Sequence, residues 1–65
     1  MQKEFIRKFE GKKVKIVLKN NFHYTNIVFS FNEEDLIEFN DRTGEKVIVE
    51  PEFISIISKI GGEND

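Results

Sequence analysis

The sequence predicts an all-β fold with one N-terminal helix, in which five short strands form a small, strongly bent barrel. Three observations lead to this prediction. A short helical pattern stops at Gly11, and an alternating strand pattern begins at once in residues 13–19. Strands and tight turns then recur at intervals of about ten residues, a spacing typical of small barrels. The longest strand changes phase, as a strand that bends through both halves of a barrel must.

The helix is predicted over residues 2–9. Phe5, Ile6 and Phe9 lie at positions i, i+1 and i+4 and form one apolar stripe, which can cover an opening of the barrel. Gly11 supplies the residue that most easily adopts a left-handed conformation where a helix ends.

The first strand is predicted over residues 13–19. Val14, Ile16 and Leu18 point to one face and alternate with mainly basic residues, which is the pattern of a sheet with one dry face. Asn20-Asn21 is predicted to form the hairpin turn, because asparagine tolerates a positive φ better than other non-glycine residues.

The second strand, residues 22–31, carries apolar residues in two sets of opposite parity: Phe22, Tyr24 and Val28, and Ile27, Phe29 and Phe31. A straight strand buries only one of these sets on a single dry face. A bulge or sharp bend near Asn26 resolves the conflict. The alternative is a strand that is buried on both faces.

Three further strands are predicted over residues 36–40, 45–50 and 53–60. Gly44 stands in the turn before the fourth strand, at a position that needs a positive φ. Pro51 cannot donate a ladder hydrogen bond and therefore indicates a tight connection before the fifth strand. Residues 1–60 are predicted to form a single domain, and residues 61–65 a flexible tail.

Length and composition limit the possible functions. A chain of 65 residues builds only a modest core, so partner subunits are expected to add stability. The lack of cysteine excludes disulfides, thiolate zinc sites and thiol nucleophiles, and it favours a cytoplasmic protein. No apolar run approaches the length of a membrane span, and no membrane partner is expected.

The sequence does not predict an enzyme, a cofactor or a metal site. No serine has a histidine partner expected nearby, so a nucleophile would lack its base. Glu33-Glu34-Asp35 lacks the spaced ligands and the glycine of a calcium loop. No glycine-rich phosphate loop is present, because Gly44 is isolated and Gly61-Gly62 does not open a helix.

The charge is distributed unevenly along the chain. Residues 1–19 hold seven Lys or Arg and two acids, for +5, whereas residues 20–65 hold three Lys or Arg and ten acids, for −7. The basic segment can be a phosphate-binding face, part of a dipolar subunit that attracts its own copies, or simply a solvated surface. The candidate phosphate-binding residues are Lys3, Arg7, Lys8, Lys12, Lys13, Lys15 and Lys19.

Three aromatic residues directly follow the first turn. Phe22, His23 and Tyr24 can stack on bases beside Lys19, which suits a single-stranded nucleic acid. Core packing competes with this interpretation, because Phe22 and Tyr24 share the parity of Val28. Both rings are then expected in the core, with His23 exposed on the other face. His23 and Tyr24 are the candidate stacking residues.

The last two strands carry apolar residues on both parities, more than the interior of one barrel needs. Exposed strand edges invite pairing with another chain, so an oligomer is expected. The candidate interface residues are Val47, Ile48, Val49, Ile54, Ile56 and Ile57.

The order of one helix, five bent strands and a tight proline turn resembles the Sm-like proteins. Phe9-Glu10-Gly11 and the alternating apolar residues after it match the start of their first motif, and Phe39 and Asp41 match its end. The resemblance implies an SH3-like barrel with an N-terminal helix. It also implies assembly into homo-oligomeric rings through the fourth and fifth strands, and binding of uridine-rich, single-stranded RNA around a central pore.

The family's usual RNA pocket is replaced in this sequence. By the resemblance, the loop aspartate falls on Asn32, the stacking position on Asp35 and the neighbouring asparagine on Leu36. The later Arg-Gly pair falls on Glu50-Pro51. Such acidic loops repel phosphate, so RNA binding is expected on the basic helix and first strand instead. The alternative function is a protein-protein adaptor or assembly barrel that does not bind nucleic acid.

Overall fold

A computed structural model describes residues 1–61 of the chain. In chain order its elements are α1 (Lys3–Ile6), a 3-10 turn (Arg7–Phe9), β1 (Lys13–Leu18), β2 (His23–Val28), β3 (Ser30–Phe31), β4 (Ile37–Asn40), β5 (Lys46–Val49), a second 3-10 turn (Pro51–Phe53) and β6 (Ile54–Lys59). The mostly β fold with one N-terminal helix is therefore confirmed. Apart from Gly61, the predicted tail lies outside the described residues.

The strands form two antiparallel sheets of three strands each. The first sheet has the order β2-β1-β6, and the second has the order β3-β4-β5. A single residue, Phe29, separates β2 from β3, so the predicted second strand is divided between the two sheets. This division gives six strands instead of five, and no closed barrel is detected in residues 1–61.

The bend predicted near Asn26 is confirmed. Val14 pairs with Ile27 and Ile16 pairs with Tyr24, so β2 carries one more residue than β1 between these pairs. Asn26 has a φ of 65°, in the left-handed region that asparagine tolerates better than most residues. The extra residue changes which side of β2 faces the core, which explains the change of phase in the sequence.

The core lies between the two sheets and the helix. Its buried members are Ile6, Val14, Ile16, Leu18, Ile27, Phe29, Ile37, Phe39, Ile54 and Ile57. The predicted alternation of β1 is confirmed, and Val17 on the opposite parity is also buried. Of the two rings expected in the core, Tyr24 packs partly against it, whereas the expectation is wrong for Phe22, which is 59% exposed; Val28, of the same parity, is 52% exposed.

The helix contacts the rest of the fold through one fully buried residue, Ile6. Phe9 packs partly against the core, whereas Phe5 is 45% exposed, so only part of the predicted stripe is covered. Gly11 follows the helical segment with a φ of 81°, and its N–H donates to the Phe29 carbonyl at 3.2 Å. This hydrogen bond joins the end of the helical segment to the junction between the sheets.

The predicted turn residues adopt the expected conformations, with a φ of 69° at Asn21 and 91° at Gly44. Pro51 begins a 3-10 turn before β6, as predicted for a tight connection. None of the helices in residues 1–61 has the length and apolar character needed to cross a membrane.

Candidate nucleic-acid interface

The first sheet carries cations and no carboxylates. Its three strands contain Lys13, Lys15 and Lys59 but no Asp or Glu. Lys15 pairs with Ser58 on one side of β1, and Lys13 pairs with Val28 on the other, so the neighbours of both lysines are neutral. A surface of this kind attracts phosphate without competition from carboxylates of its own strands.

Three lysines of one parity lie along β1 and just after it. Lys13 and Lys15 belong to the strand, Lys19 follows its last residue, and an extended backbone from Lys13 to Lys19 spans about 20 Å. Within residues 1–61, five of the predicted phosphate-binding cations form no ion pair: Lys8, Lys12, Lys13, Lys15 and Lys19. Lys8 lies over the Phe5 ring, with its Nζ 5.4 Å from the centroid.

The other two predicted cations are paired with a carboxylate. Lys3 Nζ lies 2.8 Å from one Asp35 oxygen, and Arg7 Nη2 lies 3.1 Å from the other. The Lys3 ammonium, which donates a hydrogen bond to Asp35, lowers the pKa of that carboxyl, and Arg7 lowers it further. The Arg7 guanidinium also lies 4.4 Å from the Phe31 ring centroid. These contacts attach the helical segment to the turn before β4 and reduce the charge available for phosphate.

Three aromatic rings form a series from the core to the surface, here called the aromatic ladder. Phe39 is buried, and its ring centroid lies 4.9 Å from that of Tyr24, which is half-buried. The Tyr24 centroid lies 6.1 Å from that of Phe22. Phe22 precedes β2, beyond the last residue pair of the sheet, which explains why its ring is exposed. His23 is exposed, as predicted.

A concave surface of about 740 Å³ lies beside the aromatic ladder, here called the Tyr24 cleft. Its lining combines all of β2 except Val28 with the last residue of β4 and the turn after it: His23, Tyr24, Thr25, Asn26, Ile27, Asn40, Asp41, Arg42 and Thr43. Arg42 is not among the binding residues predicted from the sequence, although it is the one cation of its turn. Its position beside Tyr24 results from the fold and cannot be read from sequence spacing.

The turn that carries Arg42 is held by Asp41. One oxygen of this carboxylate accepts hydrogen bonds from the Thr43 N–H at 2.9 Å, the Thr43 hydroxyl at 2.7 Å and the Glu45 N–H at 3.0 Å. The Thr43 hydroxyl lowers the pKa of the Asp41 carboxyl. No carboxylate in residues 1–61 forms an ion pair with Arg42.

A second concave surface, of about 900 Å³, is here called the acidic depression. It is lined by Met1, Gln2, Lys3, Glu4, Glu34, Asp35, Leu36, Glu50, Pro51 and Glu52. Four of the five residues that the sequence resemblance placed at an RNA pocket line this surface: Asp35, Leu36, Glu50 and Pro51. Five carboxylates line this surface, which makes it unfavourable for phosphate.

β6 is an outer strand of the first sheet and β5 an outer strand of the second, and β2 and β3 are the outer strands at the other sides. Among the predicted interface residues, Ile48 and Ile56 are 49% and 53% exposed, whereas Ile54 and Ile57 are buried in the core of their own chain. Val47 and Val49 pack partly against this core. The exposed apolar surface of β5 and β6 is therefore concentrated in one isoleucine on each.

No group of three or more His, Asp or Glu residues able to hold a metal ion occurs in the described part of the chain. Comparisons with family models, with curated proteins and with solved structures find no match to this chain.

Proposed function

We propose that the protein is an Sm-like small barrel that forms homo-oligomeric rings and binds single-stranded RNA through its first sheet. The observation that carries this proposal is the lysine row of β1 on a sheet whose strands contain no carboxylate. Phosphate contacts supply most of the affinity of proteins that bind nucleic acids with little sequence preference.

The strand order supports the barrel. If β2 and β3 are treated as one strand bent at Phe29, the two sheets join into the order β6-β1-β2/β3-β4-β5. The predicted five strands then follow one another in a single curved sheet. The bulge at Asn26 increases the local twist, as the bend of such a strand requires.

The same order supports assembly. Its two end strands, β5 and β6, have no strand partner on their outer sides within residues 1–61. Unpaired backbone groups on an edge strand are a template for another chain, and Ile48 and Ile56 add exposed apolar surface. Pairing β5 of one copy with β6 of the next is a head-to-tail contact, which closes into a ring when the rotation between copies permits.

Native mass spectrometry with and without a short uridine-rich RNA, at two salt concentrations, tests the proposal. We expect an oligomer that takes up RNA and does so less well as salt rises. A double variant, Lys13→Gln with Lys15→Gln, is expected to reduce the slope of log affinity against log salt by about 1.4, because each phosphate that the protein no longer neutralises lowers the slope by about 0.7.

The control variant is Lys46→Gln on the second sheet, where the Lys46 ammonium lies 3.5 Å from Glu38. It removes an exposed lysine outside the proposed interface, and its salt slope is expected to equal that of the original protein. A monomer at micromolar concentration would contradict ring formation. Equal salt slopes for the double variant and the control would show that the first sheet is not the RNA interface.

A second candidate function is a protein-protein adaptor. The acidic depression favours it, because five carboxylates around one concave surface suit a basic protein segment better than RNA. An oligomer that takes up no RNA at low salt would favour the adaptor over the RNA-binding ring.

A further inference from the structure

We propose that the Tyr24 cleft holds one nucleotide of the bound strand, with its base stacked on the aromatic ladder and its phosphate beside Arg42. This inference rests on the proposed RNA binding and adds to it the place where a base is held. The juxtaposition behind it is that of Tyr24, the middle ring of the aromatic ladder, and Arg42, which forms no ion pair within residues 1–61. Both line one cleft of about 740 Å³.

The ladder provides a supported stacking surface. The buried Phe39 contacts the Tyr24 ring edge-to-face, with an angle of 67° between the ring planes, and so restricts its orientation. Phe22 leaves 59% of its surface exposed beside Tyr24. An exposed aromatic ring next to a fixed one offers a base an apolar face at little cost in conformational entropy. Every base has such a face, so this contact tolerates different sequences.

The turn after β4 provides the cation. Its conformation is held by three hydrogen bonds to Asp41, two of them from backbone N–H groups, so the backbone of Arg42 is positioned before any ligand binds. The guanidinium carries five N–H donors in a planar fork, a geometry that suits phosphate oxygens. The same hydrogen bonds occupy one oxygen of Asp41, which keeps this carboxylate engaged in the turn.

The remaining lining of the cleft is polar except for Ile27. Thr25, Asn26 and Asn40 supply hydroxyl and amide groups, which both donate and accept hydrogen bonds, and the Thr43 hydroxyl, which donates to Asp41, can still accept one. Such groups can pair with the edges of a base. The volume lies within the range of about 300 to 1,000 Å³ that is usual for small-molecule sites. The cleft therefore combines a stacking surface, a cation and base-edge partners in a space suited to one nucleotide.

The fluorescence of Tyr24 tests this inference directly, because the chain contains one tyrosine and no tryptophan. The probes are a mixed-sequence RNA and an abasic ribose-phosphate strand of the same length. We expect the RNA to change the Tyr24 emission on binding. We also expect it to bind about tenfold more tightly than the abasic strand, because one stacked base adds about that much affinity. The abasic strand is expected to bind through phosphate contacts alone and to leave the emission nearly unchanged.

Two variants with matched controls locate the contacts. Phe22→Ser is expected to weaken RNA binding about fivefold to tenfold without changing the affinity for the abasic strand. Its control, Phe5→Ser, removes another exposed ring and is expected to leave the affinities for RNA and for the abasic strand unchanged. Arg42→Gln is expected to weaken the binding of both strands, whereas its control, Lys46→Gln, is expected to weaken the binding of neither strand. The far-ultraviolet circular dichroism of each variant checks that it folds.

The outcomes separate this inference from the function on which it rests. The RNA and the abasic strand could bind with equal, salt-sensitive affinity and without a change in Tyr24 emission. This result would overturn the nucleotide cleft and leave the phosphate interface in place. No binding of either strand at low salt would overturn both. If Phe22→Ser keeps the full preference for RNA and RNA leaves the Tyr24 emission unchanged, the base is held elsewhere and the cleft is overturned.

Discussion

The two concave surfaces of this protein lie at opposite ends of the same strand and differ in charge. Leu36, just before β4, lines the acidic depression, and Asn40, the last residue of β4, lines the Tyr24 cleft. The acidic depression is lined by five carboxylates and two cations, Lys3 and the Met1 ammonium, whereas the Tyr24 cleft is lined by one carboxylate, Asp41, and one cation, Arg42. Turns at both ends of one short strand can thus create concave surfaces suited to opposite ligands, and the side chains on those turns decide which ligand is attracted.

The two surfaces also differ in how their carboxylates are engaged. Asp41 accepts hydrogen bonds within its own turn, which leaves Arg42 available. Asp35 instead holds Lys3 and Arg7, which were predicted as phosphate-binding residues. The acidic depression therefore both repels phosphate and occupies two nearby cations, and this difference directs the proposed RNA binding to the first sheet and the Tyr24 cleft.

The largest effect is expected from removing the base of the aromatic ladder. Phe39→Ala empties a buried site that is 4% exposed and leaves Tyr24 unsupported, so the free energy of unfolding is expected to fall by about 3 to 5 kcal/mol. Urea unfolding followed by circular dichroism measures the change. Phe5→Ala is the control, with an expected change below about 1 kcal/mol, because the Phe5 ring is 45% exposed. Equal losses for the two variants would show that Phe39 is not a supporting core residue.

A smaller effect is expected from reversing charge in the acidic depression. Glu50→Lys combined with Glu52→Lys replaces two carboxylates with cations, so RNA affinity at low salt is expected to rise. The salt slope is expected to steepen by about 1.4 if both new lysines reach phosphates. Fluorescence anisotropy of a labelled RNA over a salt series measures both quantities. The control is Glu45→Lys, which lies outside both concave surfaces; an equal gain there would mean that net charge alone controls binding.

The smallest effect is expected for acid stability. Lys3 and Arg7 hold the pKa of Asp35 below its ordinary value of 3.8, so the folded state binds this proton less readily than the unfolded state. The stabilisation is therefore fully present when the pH is above the ordinary pKa of Asp35, and it is lost as the pH falls through the lowered pKa of the folded state. Asp35→Asn is expected to show a shallower loss of stability below about pH 4 than the original protein.

Urea midpoints measured between neutral pH and about pH 3 follow this difference. Glu33→Gln, a neighbour in the same turn, is the control and is expected to keep the acid sensitivity of the original protein. A parallel pH dependence of Asp35→Asn and the original protein would rule out a contribution from the Lys3 and Arg7 contacts.

Much of the fold was predictable because it depends on local stereochemistry. Gly11, Asn21 and Gly44 have positive φ values where the sequence places helix ends and turns, and the bulge lies at Asn26, where the pattern changes phase. The buried face of β1 follows directly from its alternation. These features involve neighbouring residues, so their physical causes can be read along the chain.

The candidate site was predictable only in part. Lys13 and Lys15 belong to β1 and Lys19 directly follows it, so the parity that they share could be read from the sequence. Phe22 was wrongly assigned to the core, because parity gives the side of a strand but not whether other elements cover its end. Arg42 was missed, since only the tertiary fold brings the turn after β4 beside Tyr24.

The sequence by itself determined the mostly β fold, the N-terminal helix, the positions of the turns and the basic character of the first nineteen residues, since each depends on residue type and short-range periodicity. The tertiary structure alone decided which charges remain available and which rings are exposed. Lys3 meets Asp35 across 32 positions of the chain, and Tyr24 meets Phe39 from another sheet. Such contacts depend on how the strands pair and bend, and no short-range pattern encodes them.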